Sequence, residues 1–104
     1  MKHKRTKFTA ISPEVKQRVL ERDKVCIICG SYGFPVCHVV NRSQGGEGIE
    51  QNIVTLCPRC HNEMDNGKDG KIYRETCEEY LKMHYPGWTR ESVKYDKWRN
   101  VWEN

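Results

Sequence analysis

The stretch Cys57-Pro58-Arg59-Cys60-His61-Asn62-Glu63-Met64-Asp65 brings two kinds of metal ligand together. Its two cysteines have the Cys-x-x-Cys spacing that is typical of half of a zinc site. His61 follows the second cysteine, and Asp65 lies four residues later. If a helix begins here, these two side chains lie one above the other on the same face. The stretch therefore predicts a structural metal site beside a second site for a harder metal ion.

A second Cys-x-x-Cys pair completes the first of these sites. Cys26 and Cys29 are separated from Cys57 and Cys60 by 27 residues. Zinc prefers four tetrahedral ligands, and a site with four thiolates has no open position, so we expect a structural zinc ion. Such an ion would contribute on the order of 10 kcal/mol to folding. Buried thiols or disulfides are the alternative, which two pairs at this spacing disfavour.

Length and composition limit the class of protein. The chain has 104 residues, of which 37% are hydrophobic and 31% charged. This length suits one small domain with a modest core. No apolar run approaches the roughly 20 residues that a membrane span needs, and the N-terminus lacks the apolar region of a signal peptide. We therefore expect a cytoplasmic protein without a membrane segment.

The basic residues are unevenly distributed. The formal net charge is +4, from 18 basic and 14 acidic residues. Residues 1–10 form a basic N-terminal arm, which is either solvated surface or a segment that lies along phosphates and releases counterions. The basic side chains at the start of this arm are Lys2, His3, Lys4, Arg5 and Lys7.

A helix is predicted after the arm, over residues 13–22. Ser12 suits the N-cap position, and Pro13 suits the first helical position. Apolar residues that recur at helical spacing would form its buried stripe, widened by a leucine. These residues are Ile11, Val15, Val19 and Leu20.

The middle of the chain predicts a short strand, a loop and two helices. β-Branched residues within 36–40 favour a strand, whose partner would be the segment near 25–28 or a short strand in the following loop. Residues 41–51 contain three glycines and no periodicity, which indicates a loop. Helices are predicted over 60–66, where an Asn-Gly pair ends the first, and over 71–84.

The predicted helix over 71–84 carries an ion pair and an unassigned cysteine. Glu78 and Lys82 have the i,i+4 spacing of such a pair, and Cys77 lies on the apolar face as a buried free thiol. A disulfide between Cys77 and Cys37 is the alternative. Thr89 would cap a last short helix carrying Val93. The tryptophans after residue 84 would either pack on the domain, which we favour, or touch a partner; they are Trp88, Trp98 and Trp102.

Motifs in a fixed order identify a family resemblance. They are Cys26-x-x-Cys29, then Cys37-His38-Val39-Val40, then Gly45-Gly46, and then Asn52-Ile53-Val54-Thr55-Leu56-Cys57 running into Cys60-His61. Together they resemble the HNH endonuclease family, in particular its zinc-containing branch common in phage and prophage genomes. The resemblance implies a protein of a bacterial host or one encoded by a phage. The resemblance runs from about Val15 to Asp65. It implies an α+β fold with a small ββα-metal unit of two strands, a loop and a helix.

The resemblance also implies a function for three residues. His38 would be the general base that takes a proton from water, and Asn52 would fix the loop and so the orientation of the base. His61 would bind a catalytic divalent ion, which could be Mg²⁺, Mn²⁺, Ni²⁺ or Zn²⁺. The implied reaction is DNA cleavage leaving a 5′-phosphate. A histidine pKa near 6.5 suits a base at neutral pH. The alternatives are a structural strand histidine, a helix-capping asparagine and a spare histidine beside the zinc.

One residue departs from the family pattern. Many members have Asp or His directly before the base, as a metal ligand, and here the residue is Cys37. A thiolate favours zinc or other late transition metals over magnesium. Cys37 is therefore either a buried residue or a ligand of a softer metal. Asp65, four residues after His61, is the natural substitute ligand, by a looser resemblance to colicin-type DNases; otherwise it is a solvated carboxylate.

These expectations combine into one organisation of the chain. Residues 1–10 form the arm, residues 11–67 the zinc-stabilised nuclease core, and residues 68–104 a helical extension packed on it. The expected partner is DNA, bound through phosphates, and the oligomeric state stays open. The rival hypothesis is a non-catalytic zinc-stabilised module that binds nucleic acid or assists phage packaging beside a terminase. Basic residues that could reach phosphate are Arg42, Arg59, Lys68 and Lys71.

Overall fold

The computed structural model describes residues 8–95, and within them it has the α+β fold that the sequence predicts. The basic residues 1–7 of the arm, and Trp98 and Trp102, lie outside the described residues. Short 3₁₀ turns occupy Arg42–Gln44 and Glu91–Val93. The main elements in chain order are helix α1 (Pro13–Asp23), strands β1 (Phe34–His38) and β2 (Ile53–Leu56), and helices α2 (Pro58–Asn66) and α3 (Gly70–His84).

Helix α1 begins where the sequence predicts. The Val15 N–H donates to the Ser12 hydroxyl at 3.2 Å, so Ser12 is the N-cap. Val15 and Val19 are buried beside Ile53 and attach the helix to the sheet. The inclusion of Leu20 in this stripe is wrong, since its side chain is 42% exposed. Leu20 follows Val15 by five positions, which places it about 140° around the helix.

The two strands form an antiparallel sheet whose register places His38 opposite Ile53. The predicted partners of the first strand, near 25–28 or inside the loop, are therefore wrong. Residues 25–28 contribute a single ladder-like bond, from the Ile27 N–H to the Thr55 carbonyl at 3.1 Å. All four residues of β2 are buried, so the strand has none of the polar alternation that would have revealed it.

Helix α2 begins at the second cysteine pair and ends before Gly67. The Cys57 sulfur accepts from the Cys60 N–H at 3.4 Å in the N-cap position. Helix α3 then packs back against α2. Gly70 permits this contact, because a Cβ at that position would lie 2.5 Å from the Met64 carbonyl oxygen. Cys77 and Leu81 of α3 face the core, and both are fully buried.

The segment after α3 returns to the loop between the strands. Trp88 is buried, and its indole N–H donates to the Gln51 carbonyl at 2.6 Å, so for this tryptophan the predicted packing is confirmed. The predicted Glu78–Lys82 pair is wrong. Lys82 binds Glu79 at 3.1 Å, and Arg90 of the returning segment binds Glu78. Within the described range, no helix combines the length and the apolar character that crossing a bilayer requires.

A buried carboxylate joins α1, β2 and α3. Asp23 accepts the Thr55 N–H at 2.8 Å and the Tyr80 hydroxyl at 2.5 Å. The Arg22 Nε donates to the same carboxylate at 2.6 Å and supplies the opposite charge. Burial raises the pKa of Tyr80 to about 12, so its hydroxyl stays protonated and donates. This network therefore links the three elements through one buried carboxylate.

Candidate metal centre and active site

The four paired cysteines meet in one cluster. Their sulfur atoms all lie within 4.8 Å of one another, and the Cys29 and Cys57 sulfurs are 3.6 Å apart. A tetrahedral zinc ion with Zn–S bonds of about 2.3 Å sets its sulfurs about 3.8 Å apart. The cluster therefore fits a tetrahedral ion, and the predicted four-cysteine metal site is confirmed as a metal-binding arrangement.

Local hydrogen bonds prepare two of these sulfurs as thiolates. A hydrogen bond with the Ser31 hydroxyl, at 2.9 Å, lowers the pKa of Cys29 to about 6. The Cys60 N–H, at the start of α2, lowers the pKa of Cys57. Burial raises the pKa of Cys60 itself. The lowered pKa values favour the thiolate form at Cys29 and Cys57, and a bound cation would stabilise thiolates throughout the cluster.

The metal site closes one end of the β hairpin. Cys26 and Cys29 precede β1, and Cys57 follows β2 directly. Register places Phe34 opposite Leu56 at this end and His38 opposite Ile53 at the other. An ion in the cluster would therefore fix the start of α2 relative to the strands, and with it the direction in which His61 leaves the helix.

His38 ends β1, and its ring is held by the N-terminal segment. The His38 Nε2 lies 2.8 Å from the Thr9 carbonyl oxygen. A carbonyl can only accept, so Nε2 carries the proton and Nδ1 retains the lone pair. Burial lowers the pKa of His38; the hydrogen bond to the Thr9 carbonyl raises it in part, and nearby Arg42 and His61 lower it again, so that the net shift favours the neutral ring. The open depression beside the ring is also lined by Ala10, Ile11, Lys16, Val36 and Arg42.

Asn52 ties the loop between the strands to the end of β1. Its side chain is fully buried. The Val40 N–H donates to Oδ1 at 2.8 Å, and Nδ2 donates to the Val40 and Glu47 carbonyls at 3.1 and 2.9 Å. Both the oxygen and the nitrogen of the amide therefore bind backbone groups at the two ends of the loop. Asn52 is not the cap of a helix. Gly46 allows the close approach, because a Cβ there would lie 1.8 Å from the Val40 carbonyl oxygen.

His61 and Asp65 face each other on α2. The His61 Nε2 and the Asp65 Oδ2 are 3.4 Å apart, and both side chains are partly exposed, at 34% and 44%. Two ligand atoms bound at about 2.1 Å to one ion, at an angle near 110°, have about this separation. The pair therefore fits two adjacent positions on a divalent cation.

Arg74 of α3 connects this pair to the end of β1. Its Nη2 lies 3.5 Å from the Asp65 Oδ1, and its Nη1 donates to the Val39 carbonyl. One guanidinium thus spans the residue after His38 and the carboxylate beside His61. Arg74 was not among the predicted site residues, although its position three residues before the buried Cys77 could have indicated an inward direction.

The remaining predicted residues lie in different surroundings. Cys37 is fully buried, burial raises the pKa of its thiol, and it is not among the four clustered cysteines. Arg59 lies beside the cysteine cluster, where the charge of Cys60 raises its pKa. Lys68 and Lys71 are exposed near the junction of α2 and α3.

The comparison with known families covers the cysteine cluster and both histidines. Residues 26–67 match the family model described as HNH endonuclease. This segment is therefore similar in sequence to the HNH endonuclease family. The HNH segment contains all four clustered cysteines and the residues His38, Asn52, His61 and Asp65. Helices α1 and α3, and with them Arg74, lie outside the match.

A curated relative supports the same assignment. The chain is 37% identical over 70 residues to the "Type IV methyl-directed restriction enzyme EcoKMcrA" of Escherichia coli (strain K12). The alignment covers 57% of this chain and 25% of that protein. The chain therefore spans about a quarter of the length of the relative that it matches.

Proposed function

We propose that this chain is a metal-dependent endonuclease that hydrolyses DNA phosphodiester bonds and carries a structural zinc ion in its four-cysteine cluster. One observation carries the proposal: Arg74 bridges the end of β1, where His38 lies, to Asp65 beside His61. The candidate base and the candidate ion-binding pair are therefore linked through one side chain, and His61 lies near enough to His38 to lower the pKa of its ring. The match of residues 26–67 to the HNH endonuclease family supports this arrangement.

His38 is the general base of the proposed reaction. Its Nε2 proton is directed at the Thr9 carbonyl, so Nδ1 is the atom that accepts a proton from the attacking water. The lowered pKa keeps this nitrogen unprotonated at neutral pH. Asn52 is a positioning residue, since its three hydrogen bonds fix the chain two residues beyond His38.

His61 and Asp65 hold the catalytic divalent ion. When bound, such an ion stabilises negative charge on the phosphoryl oxygens and on the departing 3′-oxygen. A nitrogen and a carboxylate oxygen suit Mg²⁺, Mn²⁺, Ni²⁺ or Zn²⁺, with water and phosphate completing the coordination. Cys37 is left out of this ligand set, because its thiol is fully buried and burial disfavours the thiolate.

Plasmid nicking tests the proposal. Supercoiled DNA is incubated with the protein and each of the four cations, and nicked and linear products are measured. Methylated and unmethylated plasmids are compared, because the matched relative is named as methyl-directed. His38→Ala and His61→Ala should each lower cutting at least 100-fold while the cysteine-bound metal is retained. His84→Ala, an exposed histidine on α3, is the matched control and should cut normally. Full cutting by His38→Ala would overturn the assignment of the base.

A non-catalytic nucleic-acid-binding module is the second candidate function. It is favoured by the small ligand set on α2, since among residues 8–95 only the four clustered cysteines form a metal-binding group of three or more ligands. This alternative predicts that the protein binds DNA but cuts it with none of the four cations. If the protein assists phage packaging, a larger partner protein should co-purify with it, and the complex should persist at high salt. A free-standing nuclease needs no such partner.

A further inference from the structure

The N-terminal segment Phe8–Ala10 reaches the candidate base although it lies outside the HNH match. Thr9 is 3% exposed, and its carbonyl oxygen is the atom 2.8 Å from the His38 Nε2. The segment precedes α1 and is separated from β1 by more than twenty positions in the chain. Something other than local sequence must therefore hold it against the ring.

The loop between the strands provides the first anchor. The Gly48 N–H donates to the Phe8 carbonyl at 2.9 Å. A Cβ at Gly48 would lie 2.1 Å from the Ala10 carbonyl oxygen, which is closer than atoms can approach. The segment and the loop are thus in direct backbone contact on both sides of Thr9, and the glycine makes this contact possible.

The end of the described chain provides the second anchor. The Phe8 and Tyr95 rings stack with centroids 4.8 Å apart. The Tyr95 N–H donates to the Gly45 carbonyl at 2.6 Å, and the Glu47 N–H donates to the Val93 carbonyl at 2.8 Å. Segments from both sides of the HNH match therefore meet over the loop that Asn52 fixes.

We propose that the Phe8–Ala10 segment is part of the active site, and that the Thr9 carbonyl is a positioning group that holds His38 in its Nε2–H tautomer. This inference rests on the proposed nuclease function. A neutral imidazole without a partner exchanges between two tautomers, and only one of them leaves Nδ1 free to accept a proton. The carbonyl selects that form before DNA binds, so the base needs no rearrangement when water is activated.

A single-atom change in the backbone tests the proposal. Cys26 allows the chain to be assembled by ligating a synthetic peptide of residues 1–25 to an expressed fragment of residues 26–104. Replacing the amide between Thr9 and Ala10 by an ester makes the Thr9 carbonyl a weaker acceptor and leaves every side chain in place. The same ester between Pro13 and Glu14, in the first turn of α1, is the matched control.

Two measurements distinguish positioning from support of the fold. The histidines of the expressed fragment are labelled with ¹⁵N, and the ring nitrogens of His38 are assigned by comparison with His61→Ala and His84→Ala. The Thr9 ester should shift His38 from one Nε2–H tautomer toward a mixture. It should also lower kcat for plasmid nicking by up to about 5-fold with KM unchanged, the effect of weakening one hydrogen bond that holds the base. The control ester should change neither quantity.

The outcomes separate this inference from the proposed function. An unchanged His38 tautomer in the Thr9 ester would overturn the inference, even in a protein that cuts DNA. A changed tautomer in a protein that cuts no DNA would support the positioning contact and contradict the nuclease proposal. Retention of the cysteine-bound metal in both esters, measured by metal analysis, shows that the fold is intact.

Discussion

Replacing Asn52 by alanine should lower the free energy of unfolding by about 3 kcal/mol, because the side chain makes three hydrogen bonds in a fully buried position. Each of these bonds contributes about 1 kcal/mol. The Val40 N–H, which also loses its partner, is buried and cannot turn to water. Since small domains have only about 5–15 kcal/mol of stability, this loss is a large fraction of the total.

Urea unfolding of the metal-loaded protein measures the loss. For a chain of this size the denaturant slope is about 1.5 kcal/mol per molar, so the midpoint should fall by about 2 M. Trp88 is a suitable fluorescence reporter, because its indole N–H binds the carbonyl of Gln51, next to the altered residue. A change in Trp88 emission would therefore report the same part of the loop.

Asn52→Asp separates lost hydrogen bonds from lost volume. Aspartate fills the same space and still accepts from the Val40 N–H. It replaces the donor Nδ2 by an oxygen, which repels the Val40 and Glu47 carbonyl oxygens that now accept from Nδ2. It should be at least as destabilising as alanine at neutral pH. If the aspartate variant were as stable as the unchanged protein, or if alanine cost less than 1 kcal/mol, the hydrogen-bond reasoning would be refuted.

Three further predictions concern the rest of the fold. Removing the cysteine-bound ion with a chelator, or replacing Cys60 by serine, should leave the chain largely unfolded by circular dichroism, because the lost contribution is on the order of 10 kcal/mol; a folded apo-protein would contradict a structural site. Thr55→Val should raise the thermal midpoint by a few degrees, since the Thr55 hydroxyl is buried without a hydrogen-bond partner among the described residues; a lower midpoint would argue for a hidden partner. Tyr80→Phe should cost about 1–2 kcal/mol in urea unfolding by removing the hydroxyl that Asp23 accepts; no loss would mean that the other donors to Asp23 suffice.

The features that sequence predicts well are those that a side chain encodes directly. Ser12 and Pro13 define the start of α1 because a hydroxyl and a fixed φ have few other uses before a helix. The paired cysteines define a metal cluster because their spacing suits one ion. The end of α2 before Gly67 follows from the Asn-Gly pair in the same way.

The features that sequence missed depend on burial and on backbone atoms. Strand β2 is buried on both faces, so its residues show no alternation and read only as an approach to Cys57. The partner of Glu78 is Arg90, twelve positions away, and a helical spacing rule cannot find it. Thr9 contacts His38 through a carbonyl that every residue has. The identity of residue 9 therefore contains no signal for that contact.

The two ends of the β hairpin carry different candidate sites, a metal-binding cluster at one end and the proposed base at the other. The cysteine cluster closes the end where Phe34 pairs with Leu56, and Asn52 closes the end where His38 pairs with Ile53. Four residue steps along β1 separate these ends by about 13 Å, so an ion held by the thiolates would lie too far from the proposed base, His38, to activate its water. Such an ion would act through α2 instead, because that helix begins directly after Cys57 and carries His61. A four-thiolate ion can therefore be required for cutting without taking part in the chemistry.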